Sequence, residues 1–197
     1  MSNSVKSIEQ QLVEFRQRRF LAMPLSGMIV WTLLIFTGLF LPAYEAVMAV
    51  FIGSGSIIYL AMLVSRFTGE RIRFEKASER NFFDSIFLAT MVMSLLCFSL
   101  AIPFFQQDYR SLPFTLAVLS GLMWLPISTL LGHWVGYVHT LLRVSLCTLA
   151  WYLAPEHSFV LQPMIVVLCY VVSIVGLERR WQSLQQEPVA IKAPATA

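Results

Sequence analysis

Apolar residues gather into six long runs, Ala22–Leu41, Ala46–Val64, Ser85–Phe105, Pro113–Leu131, Trp134–Ala154 and Val160–Leu177. Each run is about 18–22 residues, which as a helix rising ~1.5 Å per residue crosses a hydrocarbon core of roughly 30 Å. The pattern predicts an all-α polytopic membrane protein, a bundle of six transmembrane helices. Before the first run, Val5, Ile8, Leu12 and Phe15 recur at three- and four-residue steps. That spacing predicts a short amphipathic helix. Ser7 with Gln10 is placed for a capping box, and Glu14 with Arg18 for an i,i+4 pair. The predicted organisation is an amphipathic segment over 1–20, a membrane domain over 21–178, and a tail over 179–197 that ends disordered. The long connection 66–84, with charges of both signs, reads as a polar helix or a solvated loop.

Composition agrees with this solvent. Hydrophobic residues form 57% of the chain and charged ones 13%, about half the share of a soluble domain. The bases are confined to three patches: Lys6, Arg16, Arg18 and Arg19; Arg66, Arg71, Arg73, Lys76 and Arg80; and Arg179, Arg180 and Lys192. The alternate connections carry none or, at Arg110, one. Cytoplasmic loops retain Lys and Arg, so both termini and the 66–84 loop are expected inside an inner (plasma) membrane. The 131–134 turn is expected on that side too, although it has no base of its own. The net charge of +3 is then a topology signal, and nucleic acid is not an expected partner. Cys97, Cys147 and Cys169 all fall inside runs, where they act as small apolar residues. No cleavable signal peptide is expected, since the first run is long and another follows at once.

Within the runs, Gly53-Ser54-Gly55-Ser56 offers a small face for close helix contact, with serines that bond to their own helix or a neighbour. Pro126, inside the fourth run, removes a helix hydrogen bond and is expected to kink it. Matching prolines are too few to support inverted halves. Gly38-Leu-Phe-Leu-Pro42, the Gly53-Ser-Gly run, Leu-Pro-Phe at 112–114 and Ser-Gly-Leu-Met-Trp-Leu-Pro at 120–126 resemble a family of small bacterial six-helix membrane proteins classed as a domain of unknown function. The resemblance covers about 22–177. It implies a His near the Trp124 position, which this sequence lacks, and it implies an architecture without an activity.

One ionisable residue interrupts the middle of a run. Arg143 costs ~2.5–3.5 kcal/mol there on insertion scales, so such a residue faces a bundle interior, water or the headgroups. His139 lies one turn earlier on the same face. Two readings stand: Arg143 and His139 form an intramembrane polar site, or the helix starts near Tyr137 and Arg143 snorkels to the inner headgroups. Asp84, at the inner end of the third run, is the nearest plausible acid for Arg143. No metal or cofactor site is expected: His133 and His139 are about 240° apart around a helix, and His157 belongs to another connection. Ser54 lacks a His in the sixth run to act as base, and no acid pair or phosphate loop is present, so catalysis is not expected. The functional candidates are a small permease or channel using Arg143 and His139, and a non-transporting component that oligomerises or docks a membrane partner through the Gly/Ser face. In both, the lipid bilayer is the surrounding partner.

Overall fold

The computed structural model describes residues 6–70 and 81–186, and these are all-α. Nine α-helices follow in order: α1 Ile8–Arg16, α2 Ala22–Phe40, α3 Ala43–Thr68, α4 Phe82–Leu96, α5 Phe98–Gln107, α6 Ser111–Leu122, α7 Trp124–Leu131, α8 Val135–Leu153 and α9 Ser158–Gln186. Cys97 alone separates α4 from α5, and Met123 alone separates α6 from α7. Taken across those breaks, five helices among the described residues are long and apolar enough to cross a membrane. They are α2, α3, α4–α5, α6–α7 and α9 with its leading turn. The sixth predicted span is a helix of 19 residues, α8. It is not among the five because His139, Thr140 and Arg143 dilute its apolar character.

Polarity is distributed as in a chain dissolved in lipid. Ile52, Tyr59, Phe67, Leu96, Leu100, Phe104, Leu141 and Leu168 are exposed, whereas Ser26, Thr115, His139, Thr140, Arg143, Gln162 and Ser173 are buried. A water-soluble bundle would invert much of that list. α9 is the central post, packed on α2, α8 and α6, while α3 lies outside α2 and α5 outside α6.

The two breaks have different causes. Pro126 has no N–H to offer the Leu122 carbonyl, and its ring crowds that carbonyl, so the distortion falls on its N-terminal side, at Met123. The kink is therefore three residues before the proline. The break at Cys97 lies beyond the reach of Pro103. There the side chains of Ser94 and Cys97 bond back to the carbonyls of Met91 (2.9 Å) and Met93 (3.3 Å) and compete with the helix ladder.

The N-terminal helix has its capping box, with Ser7 and Gln10 bonded reciprocally at 3.1 and 3.2 Å. Its partners differ from the expected ones. Glu14 pairs with Lys6 (2.8 Å) and not with Arg18, whose guanidinium donates to Asp84 at 2.6 Å. Asp84 is thereby spoken for, because α1 docks onto α4 through tertiary packing and overrides the local i,i+4 rule. Phe15 is fully buried against Phe20, Phe83 and Phe87. The helix is thus a plug across one end of the bundle. Asn81 and Gln11 tie it to α4, and Arg16 donates to the Leu130 carbonyl at 2.8 Å.

That end also gathers Arg19 on Glu178, and Arg180 on the Arg16 carbonyl. The 131–134 turn, bare of bases in sequence, receives its charges from Arg16 and Arg180. Gly132 turns there with φ +61°, a conformation other residues resist, and the Arg16 guanidinium lies over it. At the opposite end Asp108 accepts three hydrogen bonds from the Arg110 side chain, which hold its carboxyl below the ordinary range. At that end the acids Glu45, Asp108 and Glu156 outnumber Arg110, whereas bases are in excess at the other. α9 continues through Arg179 and Arg180 to Gln186, so the tail predicted from 179 begins as helix. Residues 1–5, most of the 66–84 loop and the final residues lie outside the described residues.

The small-residue face divides. A side chain at Gly53 would meet Val30 and Leu34 of α2, at 3.2 and 3.4 Å, whereas nothing lies within 4 Å of one at Gly55. Ser54 and Ser56 bond back to carbonyls of their own helix, Val50 and Gly53. Gly53 is the packing glycine and Gly55 is open. Gly53→Leu should therefore lower the yield of folded protein in detergent, while Gly55→Leu should match the wild type.

A second expectation concerns Glu70, just beyond α3, which caps α2 from outside by accepting the Leu21 and Ala22 N–H groups at 2.9 and 2.8 Å. Burial raises its carboxyl above the ordinary range against the pull of those N–H groups and of Arg19. A raised folded pKa favours the protonated form, so its stability contribution is complete below the ordinary carboxyl range. That contribution is lost as pH rises through the folded value. Glu70→Gln keeps an acceptor without the charge. Thermal unfolding from pH 4 to 8 should show wild type losing stability relative to Glu70→Gln as pH rises.

Candidate functional site

α8 brings its polar residues to the centre of the bundle because one helical stripe, His139, Thr140, Arg143 and Cys147, faces α6 and α9. Arg143 is 0% exposed. It does not reach headgroups. Its guanidinium lies 5.5 Å from the Trp31 ring centre on α2 and 5.7 Å from that of Tyr170 on α9. Gly121 of α6 makes room for the stem, since a side chain there would stand 3.1 Å from Cδ and 3.3 Å from Nε.

The hydrogen bonds form a directed chain. One Arg143 terminal nitrogen donates to Ser120 Oγ at 2.7 Å, and Ser120 passes its own proton to the Leu116 carbonyl at 2.5 Å. The other terminal nitrogen is 3.3 Å from His139 Nε2. A guanidinium only donates, so Nε2 is the acceptor. The proton of the neutral ring then resides on Nδ1, which donates to Ser173 Oγ at 2.7 Å, and Ser173 donates in turn to the Cys169 carbonyl at 2.9 Å. Trp124 stacks on the imidazole at 4.3 Å, with Tyr170 at 5.1 Å. Thr140 donates to the Gly121 carbonyl at 3.0 Å, supporting the backbone just before the Met123 break.

What the site lacks is an acid. Among the described residues no carboxylate pairs with Arg143, and its Nε–H has no partner. Asp84, the expected partner, belongs to Arg18 at the bundle end. The expected pair of Arg143 with His139 is present as contact, and Pro126 marks the broken helix from which Ser120 and Gly121 come. On α3, away from this centre, Gly53 packs against α2, Ser54 bonds to its own helix and Gly55 faces open space. Aromatic faces and hydroxyls solvate the cation in part, but its full charge stays uncompensated. The arrangement is a buried guanidinium with a free Nε–H and, among the described residues, no carboxylate beside it. No cluster of three metal-ligating residues exists among the described residues.

Sequence reasoning missed Trp31, Trp124, Tyr170, Ser120 and Ser173. Two carried a usable signal. Tryptophans prefer the membrane–water interface, and Trp31 and Trp124 lie well inside their runs, where an indole needs a polar or cationic neighbour.

Removing the acceptor leaves a buried charged donor without a partner. Ser120→Ala should cost about 1–3 kcal/mol, read as a lower unfolding midpoint in detergent. Gly121→Ala should also destabilise, and pairing it with Arg143→Ala should cost less than the sum of the two single changes, because alanine lacks the Cγ, Cδ and Nε that a side chain at Gly121 would meet.

No curated protein matches this chain, and no solved structure does either. A family model described as a family of unknown function, DUF7010, matches residues 8–180. That range contains α1, the Arg143 centre and the bundle up to Arg180, so the chain belongs to this family of unknown function, whose matched region holds several long apolar helices.

Proposed function

We propose that the protein is a six-span inner-membrane permease or channel for a small inorganic anion, with Arg143 as its binding group and His139 as the proton-responsive neighbour. α8 serves as the sixth span, its polar stripe turned inward. Both termini and the 66–84 connection are cytoplasmic. The excess of Arg at the α1 end, against the self-neutralised Asp108–Arg110 pair at the other, supports that orientation.

The observation that carries the reading is a fully buried guanidinium with no acid beside it among the described residues, seated where α6 breaks into α7. A buried charge costs several kcal/mol unless compensated, and intramembrane cations belong to ion pathways far more often than to packing. Membrane transporters place ion sites where helices are interrupted near the bilayer midplane, because the broken backbone can rearrange there. No enzymatic chemistry is part of the proposal.

A second reading has its own support. Arg143 is enclosed on all sides in this conformation, as expected of a non-transporting component whose centre is purely structural. Flux separates the two. Full-length protein in vesicles should pass chloride or nitrate, followed with a halide-quenched dye inside. Arg143→Leu should remain folded yet lose at least about tenfold of that flux, and Arg143→Lys should retain part of it. Equal flux from wild type and Arg143→Leu, or none from either, would remove the permease reading and favour the structural one.

A further inference from the structure

The α7–α8 turn and the last turns of α9 enclose a groove of about 600 Å³ that is separate from the Arg143 centre. Its lower wall is apolar and exposed, formed by Trp134, Val172 and Val175. Its upper end is basic, formed by His133, Arg179 and Arg180. Both ends belong to one stripe of α9, on which residues four and eight apart from Val171 and Val172 point the same way. Along that stripe the surface changes from valine to arginine within about two helical turns, or ~11 Å.

Among the described residues the basic end has no internal counter-charge. Glu178, the adjoining acid, is held by Arg19 with two hydrogen bonds of 2.8 and 3.1 Å. Among the described residues no carboxylate pairs with Arg179 or Arg180. Arg180 is instead fixed against the backbone carbonyl of Arg16, which brings a third guanidinium to the same corner. His133 Nδ1 accepts the Val135 N–H at 3.4 Å, which leaves Nε2–H as a donor. Trp134, half exposed beside these groups, has the amphipathic ring that settles at a headgroup boundary.

We infer that this groove is a binding site for one anionic phospholipid, with its phosphodiester held by Arg179, Arg180 and His133 and its acyl chain laid along Val172, Val175 and Trp134. A basic corner alone would suit any phosphate. The apolar wall immediately below it, exposed and continuous with the lipid-facing surface, selects a ligand that carries a chain. Basic pockets between helices on the cytoplasmic side of a membrane bind lipid headgroups by this combination. The inference needs only that this end of the bundle lies at a membrane surface, so it stands apart from the anion-permease reading.

Full-length protein in mild detergent provides the test, read by native mass spectrometry and by thermal unfolding. The probes are phosphatidylglycerol, phosphatidylcholine with the same chains, and inorganic phosphate. Phosphatidylglycerol should be retained and should raise the unfolding midpoint, while phosphatidylcholine and inorganic phosphate should do neither. Arg179→Gln should weaken phosphatidylglycerol retention about fivefold, and Val175→Trp should reduce it by filling the apolar wall with charge unchanged. Equal retention of the two lipids, or phosphatidylglycerol retention that neither variant alters, would overturn the site. Stabilisation by inorganic phosphate equal to that by phosphatidylglycerol, and insensitive to Val175→Trp, would make it a free-anion site and overturn the lipid assignment. Arg180 is left intact because it also holds α1, so loss of folding does not confuse the result.

Discussion

A guanidinium enclosed in an apolar bundle, with no carboxylate beside it among the described residues, is the constraint around which the rest of this structure is arranged. Arginine stays protonated at any accessible pH, so its charge cannot be discharged by burial and must be solvated by whatever the fold supplies. Here the supply comes from several helices at once. α2 offers the face of Trp31, α9 the face of Tyr170, α6 the hydroxyl of Ser120, and α8 the imidazole of His139. Each of those groups is held in turn, Ser120 by its own helix and His139 by Ser173 and Trp124. The central packing of α2, α6, α8 and α9 is thus also the solvation shell of one charge.

This shell explains why one helix resists classification. α8 is long enough to cross a bilayer, yet the residues that solvate or accompany Arg143 make it less apolar than its neighbours. Its polar stripe is tolerable only because neighbouring helices cover it. The cost of that cover falls on α6. Gly121 must be bare to admit the Arg143 stem, and the helix breaks two residues later, ahead of Pro126.

Much of the fold was legible because lipid imposes long apolar runs, and the runs predicted α2, α3, α6–α7 and α8 closely, while α9 continues past its run to Gln186. The Ser7–Gln10 capping box was legible because it is local. Contacts set by tertiary packing were not. Arg18 leaves its i,i+4 neighbour for Asp84 once Phe15 docks α1 onto α4. Gly53 and Gly55 are equivalent in sequence but lie on different sides of α3, and only one of them meets α2. For the site, Arg143 and His139 announced themselves as rare polar groups in an apolar run. Their aromatic cage was only half legible: the mid-run positions of Trp31 and Trp124 hint at a polar neighbour, whereas Tyr170 reads as bulk until the position of the cation is known.

The central proposal is that Arg143 binds an anion. It is tested most directly by nitrogen NMR of arginine-labelled full-length protein in lipid nanodiscs, with the Arg143 Nε–H signal assigned by its loss in Arg143→Leu. Titration with nitrate should move that signal saturably, because the Nε–H has no other hydrogen-bond partner. An Arg143 signal that stays fixed while exposed arginines drift with ionic strength would contradict the account and leave the charge as packing alone.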